Sequence, residues 1–195
     1  MPRRFDRSGS QVYKISNILK DSGHGVVIGN QWLPVSTQTR GAPSMNNDVV
    51  YPIMLSGIRP GEEAEVIGLI ENAGLTVQDL NREKLVHFIV ARVGDAIVGT
   101  VGLEPVGDGA LLRSLTVLKS YRNRTVATRL VTAIEKYARA HGVGALYLLT
   151  LGAAGFFAKK GFHLIDRNAA PAAMQATEEF RTLCPDTAQC LSKNL

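Results

Sequence analysis

The stretch SYRNRTVATRL, Ser120 to Leu130, lies between an apolar run, ALLRSLTVL, and a long amphipathic segment. A strand that feeds a helix here leaves the helix's first backbone N–H groups without intrahelical partners. The helix dipole favours negative charge at the same point. Arg122 and Arg124 flank it, and guanidinium groups match phosphate oxygens. The junction therefore reads as a seat for a pyrophosphate, although it contains no glycine. The alternative is that Asn123 or Thr125 only caps a surface helix, with both arginines solvated. The order of the surrounding elements has to decide.

Downstream, TVATRLVTAIEKYARAHG places Val126, Leu130, Ile134, Tyr137 and Ala138 on one stripe at helical spacing. Gly142 stops that helix. ALYLLT reads as a short buried strand, AAGFFAKKG as a short helix ended by Gly161, and FHLI as another strand. APAAMQATEEFRTLC reads as one helix with Pro171 near its first turn, and AQCLSKNL as a last strand.

Upstream, LVHFIVARVGDAIVGTVGLEP is a hairpin turning at Gly94-Asp95, and VGDGA leads into a third strand, LLRSLTVL. YPIMLSGIRP reads as a strand ended by Pro60. GEEAEVIGLIENAGL reads as a helix with Glu62 and Glu63 at its positive end and Gly74 as its stop; TVQDLN adds a further turn. Three hairpin-linked strands among single strands and helices predict an α+β fold: a mixed sheet with helices on its faces.

Residues 1–49 show no sustained period of 2 or 3.6, so the domain is expected over 50–195, preceded by a partly flexible extension with one short strand at HGVVIGNQW. The chain has 195 residues and a net charge of +5, enough for one buried domain. The first 49 residues hold six Lys/Arg against three Asp/Glu, and the remainder sixteen against fourteen. That is too dilute for the basic stripe of a nucleic-acid binder and suits a small anionic ligand. No run of 18 apolar residues is present, so no membrane-spanning helix is expected. Two cysteines make neither a secreted disulfide framework nor a zinc site; no metal is expected, and a reducing cytoplasm is the default.

The run LTVLKSYRNRTVATRLVTAIEKYARAHG resembles the cofactor-binding core of the GNAT superfamily of N-acetyltransferases, and LYLLTLGAAGFFAKKGF the segment after it. The resemblance covers about Ile58 to Leu195. VGLEPVGDGALLRSLTV, LYLLT, FFAKKGF and APAAMQATEEFRTLCPDTAQC together are similar to the arsenic-resistance N-acetyltransferase branch.

The resemblance implies a mostly antiparallel sheet with a splayed parallel strand pair, acetyl-CoA as co-substrate, and a small primary amine as acceptor; the branch implies an amino-bearing arsenical or a similar amino compound. The pantetheine arm is expected between Leu115–Val117 and Leu146–Thr150, pairing with backbone groups of Leu115 and Val117. Arg122, Asn123, Arg124, Thr125, Val126, Ala127 and Thr128 are expected around the pyrophosphate, with Thr150 and Phe157 at the cofactor. The family pattern Arg/Gln-x-x-Gly-x-Gly/Ala is met by Arg122 and Ala127. Thr125 and Asn123 stand where glycine is common, Thr150 where asparagine is frequent, and Phe157 where a proton-donating tyrosine is usual. These departures leave a second reading, a GNAT-fold binding or structural module without catalysis.

Transfer to an amine needs a proton acceptor and a polarised carbonyl. A backbone N–H at Leu115 or Thr116 suits the carbonyl. Glu104 is the candidate base; the alternative is a solvated turn carboxylate. Arg113, charged inside an apolar strand, is expected at a wet cleft to bind a substrate carboxylate or oxyanion, with Ser114 beside it. His87 and Asn72 are further candidate substrate contacts. Cys184 and Cys190 are either a soft thiol pair or two half-buried cysteines joining the last helix to the last strand. Homodimer formation through a sheet edge or the C-terminal strand is compatible with such a sheet.

Overall fold

The computed structural model describes residues 25–28, 31–34 and 52–195. They fall in two compact units, Met1–Asp48 and Val49–Leu195. In the first, β1 (Gly25–Ile28) and β2 (Gln31–Pro34) pair antiparallel, so the single strand expected at HGVVIGNQW is a hairpin. The expected flexibility of the chain's beginning falls outside the described residues.

The second unit is the mixed sheet expected from the sequence. Its strands are β3 (Ile53–Gly57), β4 (Phe88–Val93), β5 (Ala96–Val106), β6 (Gly109–Val117), β7 (Ala145–Thr150), β8 (His163–Ile165) and β9 (Gln189–Asn194). They lie in the order β3-β4-β5-β6-β7-β9-β8. Only β6 and β7 pair in parallel; the last strand inserts between β7 and β8.

Helices cover both faces. Neighbouring residues of a strand point to opposite sides. On β4, Val90 packs with Val66 and Ile70 of α1 (Glu63–Glu71), whereas Ala91 packs with Leu130 and Ile134 of α3 (Val126–Ala140). Leu130 and Ile134 are wholly buried, each worth roughly 2 kcal/mol of apolar transfer. The α3 stripe follows the expected positions except that Tyr137 is only partly buried. Glu135 is buried instead, held 2.7 Å from Lys193 of β9.

Two helical readings are corrected. The turn assigned to TVQDLN is not helical. Asn81 ends it and caps a short helix, α2 (Arg82–Leu85), by accepting from the Lys84 N–H at 2.9 Å. The single helix expected from Pro171 onward is broken. It forms α5 (Ala172–Gln175) and, after an interruption, a π-turn at Glu179–Leu183. The Thr177 hydroxyl donates to the Met174 carbonyl, a side-chain bond that competes with helix continuation. Arg167 donates to the Phe180 and Cys184 carbonyls and holds the broken segment in place.

The feature that shapes the site is a kink in β6. Thr100 of β5 faces Thr116, but Gly102 faces Arg113, so β6 carries an extra residue. Ser114 absorbs it with φ +55°, a left-handed conformation costly for serine. Gly102 is required for the local packing: a Cβ there would stand 2.3 Å from the Phe88 ring.

Candidate active site

β6 and β7 pair only at Gly109–Ala145, Ala110–Leu146 and Leu111–Tyr147. Past Leu111 they part. A cleft of about 660 Å³ opens between Leu112–Leu115 and Leu148–Thr150, closed by Ala73–Thr76 beyond α1, by α4 (Ala154–Ala158) through Phe157, and by the segment carrying Glu179 and Cys184. Beyond Leu111, the edge of β6 that turns toward β7 has no ladder partner among the described residues, so its backbone groups, apart from the Val117 carbonyl that Arg122 engages, are available to a ligand.

A second cavity, about 280 Å³, lies at the start of α3. Val117, Asn123 and Thr125 to Thr128 line it, with Tyr121 and Phe156 at its sides. Arg122 lines both cavities and is steadied by donating from Nε to the Val117 carbonyl at 3.1 Å. The first backbone bond of α3 runs from the Arg129 N–H to the Thr125 carbonyl, which leaves the N–H groups of Val126, Ala127 and Thr128 without intrahelical acceptors. Thr125 makes no side-chain cap.

Both residues that replace glycine adopt the glycine-like conformation: Asn123 and Thr125 each have φ +61°. The loop keeps its shape at the cost of about 1–2 kcal/mol of left-handed strain at threonine. The Thr125 hydroxyl donates its proton to the Arg124 carbonyl at 2.6 Å. Arg124 lines neither cavity; its guanidinium lies 5.4 Å over the Tyr121 ring.

Thr150 and Phe157 both line the cleft. The Thr150 hydroxyl accepts from the Ala153 N–H at 3.0 Å and so fixes the turn into α4. Phe157 is buried edge-on against Phe156 and Phe162.

The polar candidates fare differently. Arg113 does line the cleft, but it is 3 % exposed and committed to carboxylates. Nη1 donates to Asp79 Oδ2 at 2.5 Å and Glu104 Oε2 at 2.7 Å; Nη2 donates to Asp79 Oδ1 at 2.6 Å and stands 2.9 Å from Glu179 Oε2. This corrects the expectation of a guanidinium free to take a substrate carboxylate. Glu104 is likewise engaged, by Arg113 and by Lys84 at 2.9 Å, and it does not line the cleft. Ser114 and Leu115 do. Thr116 is buried on β6 outside it. His87 turns to α3, where its Nδ1 lies 2.8 Å from the Tyr137 hydroxyl, and Asn72 sits exposed at the end of α1; neither reaches the cleft.

Asp79, Lys84 and Glu179 were not among the sequence candidates, yet they complete this charge cluster. Burial alone would raise the Asp79 pKa, but hydrogen bonds from Arg113 and Lys84 overcome it and hold the carboxyl down to about 2. Burial outweighs the Arg113 charge at Glu179 and pushes that carboxyl above the usual range. Cys184, whose Sγ stands 3.6 Å from Glu179 Oε1, is pushed up to about 11 by burial and by that carboxylate. Cys184 and Cys190 are both free thiols; Cys184 lines the cleft and Cys190 is buried in β9. No cluster able to hold a metal ion occurs among the described residues, and none of their helices is long and apolar enough to cross a membrane.

The sequence profile of the acetyltransferase (GNAT) family matches residues 60–162. No curated protein matches the chain. Among solved structures, N-acetylglutamate synthase from Neisseria gonorrhoeae, complexed with coenzyme A and N-acetyl-glutamate, superposes with a TM-score of 0.64 at 19% identity. The match covers 73% of this chain and 35% of the synthase, so the chain spans about a third of that protein's length. An acetyltransferase of the GNAT family from Staphylococcus aureus gives 0.59 at 20% identity over 74% of this chain and 99% of that one. The PaiA N-acetyltransferase from Thermoplasma acidophilum, in complex with coenzyme A, gives 0.55 at 15% identity over 74% and 99%. The likeness to these three is one of fold.

Proposed function

The chain belongs to the acetyltransferase (GNAT) family, and on that premise we propose that it transfers an acetyl group from acetyl-CoA to a small primary amine. One observation carries the reading: Arg122 stands in the walls of both the β6–β7 cleft and the cavity at the start of α3, so the two lie side by side. A long ligand with an extended arm and a diphosphate fits the pair. The arm takes the open edge of β6, and the diphosphate takes the N–H groups of Val126 to Thr128. Arg122 adds a charge-assisted contact between the two. The relatives that hold coenzyme A share this fold.

Ser114, at the kink, and Leu115 line the cleft, and a backbone N–H at this point suits the carbonyl oxygen of the thioester. The amine attacks that carbon directly, and the thiol of coenzyme A leaves. Phe157 has no proton to give, so the leaving sulfur takes the one released as the acyl–nitrogen bond forms. For the acceptor, the similarity of VGLEPVGDGALLRSLTV and the C-terminal run to the arsenic-resistance branch supports an amino-bearing arsenical and a detoxifying role.

Thr125, Asn123 and Phe157 favour a second reading, a fold retained as a binding or structural module without catalysis. Titration with acetyl-CoA, followed by an amine screen that detects thiol release, separates the two. Binding with turnover supports the transferase; binding without turnover, or no detectable binding, contradicts it and supports the second reading.

A further inference from the structure

We propose that Glu179 is the proton acceptor of the transfer reaction, and that the charge cluster behind it selects an acceptor arriving as a cationic amine. The inference rests on the transferase reading above.

Asp79, Glu104 and Glu179 meet around Arg113, with Lys84 behind them: three carboxylates against two cations. The cluster therefore carries an excess negative charge, most of it behind the cleft wall that Arg113 and Glu179 form. Its members are not equivalent. Both oxygens of Asp79 accept from Arg113, and Lys84 adds a third bond. Both oxygens of Glu104 are paired, one to each cation. Glu179 is the exception. Its Oε2 is buried 2.9 Å from Arg113 Nη2 without the alignment of a hydrogen bond, and its Oε1 accepts only from the Cys184 thiol. Arg113 Nε, also buried, has no partner.

Of the three carboxylates, Glu179 alone lines the cleft, on a π-turn, a conformation frequent at functional sites. The wall it shares with Arg113 adjoins Ser114 and Leu115, the kink whose backbone faces the thioester in the transferase reading.

The charged and titratable groups facing Glu179 are Arg113 from β6, Asp79 from the turn before α2, Glu104 from β5 and Cys184 from its own segment. Burial raises its proton affinity most, the Arg113 charge opposes, and Asp79 adds to it. A carboxylate of raised proton affinity is a better base near neutral pH than an ordinary one.

The step balances simply. The bound ammonium gives one proton to the Glu179 carboxylate and becomes a neutral amine. The nitrogen lone pair forms the bond to the acetyl carbon as the carbon–sulfur bond breaks. The second nitrogen proton goes to the sulfur, and Glu179 later returns its proton to water.

The test compares the full-length wild type with Glu179→Gln on two probes, n-butylamine, protonated at neutral pH, and methoxyamine, which is neutral there and needs no base. Thiol release is followed against pH, and acetyl-CoA affinity is measured by calorimetry. Glu179→Gln should lose about 100-fold or more in kcat/KM for n-butylamine, with the acidic limb of the pH profile flattened. Methoxyamine turnover should change by less than about threefold and acetyl-CoA affinity not at all. The alkylation rate of Cys184 by iodoacetamide, mapped by mass spectrometry, should rise in Glu179→Gln at fixed pH, because the neighbouring carboxylate no longer opposes the thiolate. Equal losses on both amines, or an unchanged acidic limb, would overturn the base assignment while leaving the transferase intact. A wild type that binds acetyl-CoA but acetylates neither these probes nor any amine of the screen contradicts the transferase reading and the assignment with it.

Discussion

Arg113 grips Asp79 with both ends of its guanidinium, Nη1 to Oδ2 at 2.5 Å and Nη2 to Oδ1 at 2.6 Å. The residues are 34 apart in sequence, so the pair ties the middle of the sheet to the turn before α2. This clamp is the anchor of the cleft wall: it fixes the arginine around which Glu104 and Glu179 gather.

Removing one partner of a buried pair strands the other. Asp79→Asn should therefore lower stability by about 3 kcal/mol in urea denaturation, with an unchanged m value. A loss under about 1 kcal/mol would show that water already solvates the pair.

The same residue sets an acid sensitivity. The folded pKa of Asp79 is depressed to about 2 from the ordinary 3.8. Its contribution is thus fully present above about pH 4 and lost as pH falls toward 2. Stability against pH should drop through that window in the wild type by on the order of 2 kcal/mol more than in Asp79→Asn. Parallel curves would refute the assignment.

Thr125 holds φ +61° without a cap bond. Thr125→Gly removes the left-handed strain but adds freedom to the unfolded chain, so the folded state should gain about 1 kcal/mol or less. With the β-branched side chain gone, acetyl-CoA should bind more tightly. Calorimetry checks the second effect and thermal unfolding the first; an unchanged affinity would show that the side chain points clear of the diphosphate.

At Gly102, a Cβ would stand 2.3 Å from the Phe88 ring. Gly102→Ala should cost about 1–3 kcal/mol by overpacking. It should also lower turnover, because Gly102 faces Arg113 across the kinked ladder. Full activity at reduced stability would separate the kink from the chemistry.

Much of the scaffold is legible in the sequence because its signals are local. The α3 stripe from Val126 to Ala138 is set by period 3.6, and the Gly94-Asp95 turn by its residue types. The parting of β6 and β7 follows from the resemblance of LTVLKSYRNRTVATRL to a known core. The charge cluster is not legible, because Asp79, Glu104, Arg113 and Glu179 come from four separate segments and meet only through the fold. Arg113 stands out in the sequence as a charge in an apolar strand, but nothing local reveals the three carboxylates around it. The kink at Ser114 is equally silent, since serine in a strand is commonplace and only the register with β5 betrays the extra residue.

The central claim is that the cleft and the cavity at the start of α3 form one site for acetyl-CoA, joined by Arg122. Calorimetric titration of the full chain and of Arg122→Ala with acetyl-CoA tests it most directly. The account predicts one site per chain in the wild type and affinity weakened about tenfold or more in the variant, the loss of one charge-assisted contact. No binding to the wild type, or equal affinity in the two proteins, would contradict it.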